Sequence, residues 1–202
     1  MKYYAGLDVS MKETFICIVD ELGKPIFETS IPSDPFEIAK VIRKQKFSLE
    51  KVGIESGSIS NWLTNQLIAL EIPAVCVDSR HMSAILSAKI NKTDKNDARG
   101  IANAMRCDLY KVVVLKTRED VGIEVLLTAR RTLVQQRTTI KNTIRGLMKS
   151  YGIRLSPIVG NKKFLTAVRN ILKNLSSVVQ ISLETLLVSM SLGGILCNKG
   201  TH

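Results

Sequence analysis

Tyr3-Tyr4-Ala5-Gly6-Leu7-Asp8-Val9 is an apolar, β-rich run interrupted by one carboxylate, and its reading decides the fold. A carboxylate inside a buried strand is costly unless it is paired or binds a metal. Asp8 therefore needs a reason. One is local: an aspartate at a hairpin end can accept hydrogen bonds from the amides of the Ser10-Met11 turn. The other is a second carboxylate, and Glu55 supplies it at the end of Val52-Gly53-Ile54-Glu55-Ser56-Gly57. If these two strands are parallel neighbours, Asp8 and Glu55 converge.

Working outward, Thr14 to Val19 and Ile26 to Ile31 are further strand-like runs, separated by the polar Ser10-Met11-Lys12-Glu13 and by the turn Gly23-Lys24-Pro25. Ser33-Asp34-Pro35 signals a helix start, and apolar residues recur at helical spacing up to Phe47. Lys51 to Glu55 then predicts a strand, Ser58 to Leu70 a helix with Trp62 in the core, Pro73 to Val77 a strand, Asp78 to Ala88 a helix and Asp94 to Met105 another, after the polar break Asn91-Lys92-Thr93. The order β-β-β-α-β-α-β-α implies an α/β mixed sheet, with an antiparallel meander on one side and right-handed crossovers on the other.

A second acidic pair sits in Lys92-Thr93-Asp94-Lys95-Asn96-Asp97-Ala98-Arg99. On a helix, Asp94 and Asp97 share a face at i and i+3. Thr93 or Asp94 also suits an N-cap, with Asp97 favoured in the first turn by the helix dipole, so both readings stand at this point. Together, the four carboxylates Asp8, Glu55, Asp94 and Asp97 are the donor set of a two-ion clamp for in-line phosphoryl displacement. Oxygen donors without His or Cys select Mg²⁺ or Mn²⁺ over zinc.

Charge adds a separate signal. The chain has 202 residues, 29 Lys+Arg and 18 Asp+Glu, for a net +11. Residues 1–110 hold 14 basic and 14 acidic side chains, residues 111–174 hold 14 and 3, and residues 175–202 hold one of each, so the whole surplus lies in the middle segment. No carboxylate occurs between Glu124 and Glu184. Arg130, Arg131, Arg137, Lys141, Arg145, Lys149, Lys162 and Lys163 all fall there, as nucleic-acid-binding candidates. From Arg118 to Lys149 a helical pattern continues, with Leu126, Leu133, Ile140 and Leu147 repeating at seven, the stripe of a coiled coil or helical hairpin. Arg137, Lys141, Arg145 and Lys149 run beside it at i, i+4. A turn at Pro157 to Gly160 precedes a last helix of about Lys162 to Leu175. The expected organisation is 1–110 as an acidic-site domain, 111–174 as a basic helical or coiled-coil region, and 175–202 as an atypical apolar tail.

Several classes are excluded. The composition is too apolar for a disordered chain. Cys17, Cys76, Cys107 and Cys197 show no zinc-site spacing and fit a reducing cytoplasm. The N-terminus does not read as an export signal, and the apolar stretch from Leu175 is too interrupted for a membrane span. An actin-like or sugar-kinase-like ATPase needs a glycine-rich phosphate loop that Asp8-Val9-Ser10-Met11-Lys12 lacks. His81 reads as a surface or cap residue. Arg80 and Arg99 flank the acidic residues and are read as phosphate partners rather than charge balance.

Gly6-Leu7-Asp8-Val9-Ser10, Gly53-Ile54-Glu55-Ser56-Gly57, Val77-Asp78-Ser79-Arg80 and Lys92-Thr93-Asp94-Lys95-Asn96-Asp97-Ala98-Arg99 together resemble the DEDD-type insertion-sequence transposases, a family that includes the pilin-gene invertase. The resemblance covers about residues 1 to 150. It implies a RuvC-like, ribonuclease-H-like domain followed by a coiled coil, with Asp8, Glu55, Asp94 and Asp97 as the catalytic, metal-binding tetrad. It also implies DNA as substrate, a structured guide RNA and homo-oligomers formed through the coiled coil. Family members continue into a domain bearing a serine nucleophile, for which no motif is found here, so the chain is expected to be incompetent for strand exchange alone. A RuvC-like nuclease and a non-catalytic nucleic-acid-binding remnant that pairs with full-length relatives are the alternatives.

Overall fold

The computed structural model describes residues 1–86, 93–156 and 160–198. Three of the sequence features, Asn91-Lys92, the end of the helix expected to reach Ala88, and Pro157 to Val159, lie outside them. The chain divides into two units, Met1–Thr117 and Arg118–His202.

The first unit opens with three strands, β1 (Tyr3–Val9), β2 (Glu13–Val19) and β3 (Pro25–Pro32). Ser10 closes the first hairpin: its hydroxyl accepts from the Glu13 amide at 3.1 Å and donates to the Glu13 carbonyl at 2.8 Å. At the second, the Asp20 carboxylate accepts from the amides of Leu22 and Lys24, both at 2.9 Å, while Gly23 takes a left-handed φ of 81°. Helix α1 (Pro35–Lys44) is capped by Asp34, which accepts from the amides of Phe36 and Glu37. It stops short of the expected Phe47 because Lys46 adopts a left-handed φ of 56°. Next come β4 (Leu49–Glu55), α2 (Ser60–Ala69), β5 (Ala74–Val77), α3 (Ser79–Leu86) and α4 (Asp94–Arg106).

The sheet order is β3-β2-β1-β4-β5. The β1–β2 and β2–β3 pairs are antiparallel, and the β1–β4 and β4–β5 pairs are parallel. This is the mixed, ribonuclease-H-like plan expected from the sequence. Alternation sorts the strands onto two faces. Ala5, Leu7, Ile16, Ile18, Val52 and Ile54 form one core with Ile38 and Ile42 of α1 and with Leu63 and Leu67 of α2. Trp62 stands one position off that Leu63–Leu67 stripe. It is 49% exposed, which corrects its expected place in the core.

The opposite face belongs to α4. Gly6 and Gly53 sit side by side in the β1–β4 register. A Cβ on Gly6 would lie 2.2 Å from the Ala98 carbonyl oxygen and 2.3 Å from the Ala102 nitrogen, and one on Gly53 would lie 2.7 Å from Met105 Cγ. Two adjacent strand glycines thus let the backbone of α4 approach the sheet. Cys17 and Val19 complete the contact with Ala98 and Ala102.

The second unit contains α5 (Arg118–Lys149), α6 (Asn161–Leu172) and α7 (Ser177–Asn198). Ile144 and Met148 of α5, Phe164, Val168 and Leu172 of α6, and Leu183, Leu187 and Met190 of α7 form its core. Within this chain the buried residues of α5 are therefore not the heptad leucines: Leu126 is 59% exposed and Leu147 47%. Residues 175–202, expected as a tail, contribute α7, whose inward stripe is hard to see in the sequence because the helix is apolar on nearly every side. Among the described residues no helix is long and apolar enough to cross a membrane.

Gly6→Ala should cost at least about 2 kcal/mol, since the helix backbone opposite cannot yield as a flexible side chain would. Gly146→Ala, at a helical position with nothing within 4 Å of a new Cβ, should stabilise by about 0.5–1 kcal/mol. Chemical denaturation of the two variants beside wild type checks both signs.

Candidate functional site

Asp8 and Glu55 lie two residues beyond Gly6 and Gly53, on the same face of adjacent parallel strands, one step past the paired Leu7 and Ile54. Helix α4 crosses that face, and its first turn comes to the same end of the sheet. Thr93 caps it, the hydroxyl accepting from the Asn96 amide at 3.2 Å. Asp94 and Asp97 stand in that first turn. The N-cap is thus Thr93, and it leaves both aspartates in the first turn.

Asp8, Glu55, Asp94 and Asp97 all line one cavity of about 640 Å³, with Val9, Ser10, Lys12, Glu13, Phe15, Ser30, Ser56 and Gly57. Its donors are carboxylates and hydroxyls with neither His nor Cys, a set that suits a hard divalent ion. Among the described residues, however, no three His, Cys, Asp or Glu side chains form a group able to hold an ion as they stand. The carboxylates border the cavity without closing into a ligand shell, the arrangement that mutual repulsion favours.

Glu13 is a fifth carboxylate on this rim, and sequence reading missed it. Antiparallel pairing sets Asp8 opposite Phe15, so Glu13, two residues before Phe15, shares their face. The hairpin register was the signal, but Glu13 looked like an ordinary solvent-facing strand start. Its carboxylate accepts from the Ser30 hydroxyl at 3.3 Å. Lys12 brings a cation to the same rim. The three cavity serines have structural work: Ser10 closes the hairpin, Ser30 donates to Glu13, and Ser56 Oγ accepts from the Ser79 amide at 3.0 Å, tying β4 to the start of α3.

Arg99, expected to meet phosphate, instead grips Glu28 of β3 with two nitrogens, Nε and Nη2, the latter at 2.9 Å. Lys95 joins at 3.0 Å. Glu28 is opposite Cys17 in the β2–β3 register, so this ion cluster fastens the first turns of α4 to the meander. The Arg99 hydrogen bond, aided by Lys95, holds the Glu28 carboxyl below the ordinary carboxylate range. Burial, with the Glu28 charge nearby, pushes the Cys17 thiol up to about 12. His81 is exposed, and its backbone amide donates to Asp78 Oδ1 at 2.8 Å; that contact, with a lesser one from Arg80, lowers the Asp78 carboxyl.

In the second unit, Arg130, Arg131, Lys149, Lys162 and Lys163 are exposed, and Arg137, Lys141 and Arg145 are half-buried. Lys141 Nζ and Arg145 Cζ lie 5.4 and 5.1 Å from the centre of the Phe164 ring. Burial, then the charges of Arg145 and Arg137, lower the Lys141 ammonium. Arg145 and Lys149 also border a cavity of about 1120 Å³ with Arg154, Ile153 and Leu155.

Residues 5–153 match the family model DEDD_Tnp_IS110, described as transposase. The chain belongs to this family. The transposase for insertion sequence element IS1111A of Coxiella burnetii (strain RSA 493 / Nine Mile phase I) is 29% identical over 159 residues, which cover 79% of this chain and 42% of that relative. The chain therefore spans less than half the length of that curated transposase. Among solved structures, Thermus thermophilus RuvC is similar at 13% identity and a TM-score of 0.41, over 55% of this chain and 99% of RuvC. The same enzyme in complex with a Holliday junction substrate gives 13% identity and a TM-score of 0.41, over 56% of this chain and 100% of that one.

The Glu28 cluster carries a pH signature for this transposase-family chain. A carboxyl held low in the folded state stabilises fully above its unfolded value of about 4.3, and that stability is lost as pH falls through the folded value. Glu28→Gln should thus be less stable than wild type at pH 7, with the gap closing towards pH 3. Thermal midpoints of both proteins across that range test it; a gap that widens on acidification contradicts the assignment.

Proposed function

We propose that Met1–Thr117 is the metal-dependent strand-cleaving part of a DNA transposase, and that Asp8, Glu55, Asp94 and Asp97 hold Mg²⁺ or Mn²⁺ there. The observation that carries this reading is the shared cavity: four carboxylates from two strand ends and one helical turn border a single space beside Lys12. Bound ions would polarise a phosphodiester and activate water for its attack. The chain's own residues orient the site. Backbone pairing of β1 and β4 positions Asp8 and Glu55, and Thr93 and the Glu28 ion cluster hold the turn that bears Asp94 and Asp97. Lys12 meets the negative charge of the incoming phosphate. Because Ser10 and Ser56 serve the surrounding turns, water is the nucleophile in this reading.

The basic block supplies the grip. Fourteen cations against three carboxylates in residues 111–174 attract a polyanion by phosphate contacts, whether DNA or a structured guide RNA. The exposed Val121, Ile123, Val125, Leu126 and Leu127 at the start of α5 suit pairing with a second copy through a coiled coil.

Two measurements test the reading. Nicking of supercoiled or branched DNA should require Mg²⁺ or Mn²⁺ and fall at least about 100-fold in Asp8→Asn, because losing a ligand exceeds the 10–100-fold typical of groups behind the ligands. Calorimetric Mn²⁺ binding should weaken in the same variant. Binding without any metal-dependent cleavage favours the non-catalytic alternative. Separately, replacing Arg137, Lys141 and Arg145 by Gln should reduce the log–log salt slope of duplex binding by about three, at about 0.9 per phosphate contact. An unchanged slope removes these residues from the interface.

A further inference from the structure

The only tryptophan in the chain, Trp62, is half exposed in the first turn of α2. Tryptophan offers the largest apolar ring of any residue, and the α2 stripe of Leu63 and Leu67 buries into the core without it. Helix α2 packs on the sheet face opposite α4, but its first turn stands at the sheet end that carries Glu55. The Ser60 hydroxyl donates to the Glu55 carbonyl at 2.6 Å, so the turn that carries Trp62 starts against the strand end that carries Glu55. Ser56 and Gly57, between them in sequence, line the cavity itself.

The helical neighbours of Trp62 are mostly polar, with Ile59 the one large apolar side chain a turn away and half-buried. Ser58 and Asn65, one turn to either side, are exposed, and Asn61 and Gln66 are half-buried. Asn61 holds the backbone of Lys116 from both sides, accepting from its amide at 2.6 Å and donating to its carbonyl at 3.2 Å, which stations an exposed lysine beside the same turn. A protein-docking face would need a contiguous apolar patch. A lone indole among amides, hydroxyls and a lysine matches a different ligand: a flat π face with hydrogen-bonding edges and a phosphate attached.

We propose that Trp62 is a stacking platform for an unpaired nucleobase at the same sheet end as the acidic cavity, holding a strand that continues over that end towards the carboxylates. This rests on the strand-cleavage reading above and adds to it a recognition residue and a preference for unpaired over fully duplex substrate. Lys116, its backbone held by Asn61, contributes a phosphate contact, and Ser60 anchors the helix start to β4.

The lone indole is its own reporter. Titrating the full chain with a fluorescein-labelled single-stranded oligonucleotide, with metal omitted to prevent cleavage, should quench Trp62 emission in step with the rise in fluorescein anisotropy. Arms with DNA and with RNA of the same sequence identify which strand supplies the base. Trp62→Ala should lose roughly ten-fold or more in single-strand affinity, the effect of removing one stacked base, while Trp62→Phe retains most of it and Trp62→Leu does not. Duplex affinity should stay nearly constant across the variants. Emission unchanged at saturating anisotropy overturns the platform and leaves the cleavage reading intact. A shift of emission with protein concentration in the absence of nucleic acid assigns the ring to a protein contact and also overturns it. No binding of any oligonucleotide defeats both readings. The wild-type emission needs no variant, so a misfolded substitution cannot blunt the test.

Discussion

The close approach of α4 to the sheet is the constraint on which the acidic site depends. Gly6 and Gly53 are neighbours in the parallel pair, and at both positions a methyl group would collide with the helix or its side chains. Removing two Cβ atoms brings the helix axis inward, and Asp8 and Glu55, two residues further along the same strands, then end beside the turn that carries Asp94 and Asp97. A larger residue at position 6 would push that turn outward and open the cavity. The geometry of four carboxylates is thus decided by two residues that carry no functional group.

That approach is held by polar contacts of different kinds. Glu28 takes both Arg99 and Lys95, so the turn with the two aspartates is fastened to the far side of the meander by a charge-assisted fork. Glu28 is only about one-fifth exposed, and its partners would otherwise add two cations to the mouth of the site. Ser10 and Ser56 close the loops around the cavity, and Ser60 anchors α2 to the Glu55 carbonyl. Ser10 and Ser56 thus both border the cavity and hold its walls.

The two units separate two kinds of chemistry. Unit one is nearly charge-balanced and gathers four of its carboxylates around one cavity, whereas most of the surplus charge of the chain lies in unit two. Within α5, burial lowers the Lys141 ammonium, and the charges of Arg145 and Arg137 add to that effect. Residues 5–153, which match the transposase family model, take in almost all of the first unit and all of α5.

Much was legible in the amino-acid order. Asp8 and Glu55 stood out because a carboxylate in an apolar strand breaks the alternation, Asp94 and Asp97 because i, i+3 spacing joins them on one face, and the basic block because no carboxylate interrupts it. The succession of elements followed from turn and cap chemistry such as Gly23 and Asp34-Pro35, while the choice of sheet plan rested on the acidic residues. Glu13, Arg99, Trp62 and α7 were settled only by tertiary structure. Glu13 resembles any solvent-facing strand residue until the hairpin register turns it to the cavity. Arg99 has the geometry for phosphate, but Glu28, distant in sequence, reaches it first. Trp62 has the apolarity of a core residue and lies one position off the buried stripe, while α7 is too evenly apolar for its inward stripe to show. The reason is common to all four: local sequence encodes which backbone conformation and which periodicity a segment favours, whereas the partner that covers or meets a given side chain comes from another segment, and only packing brings the two together.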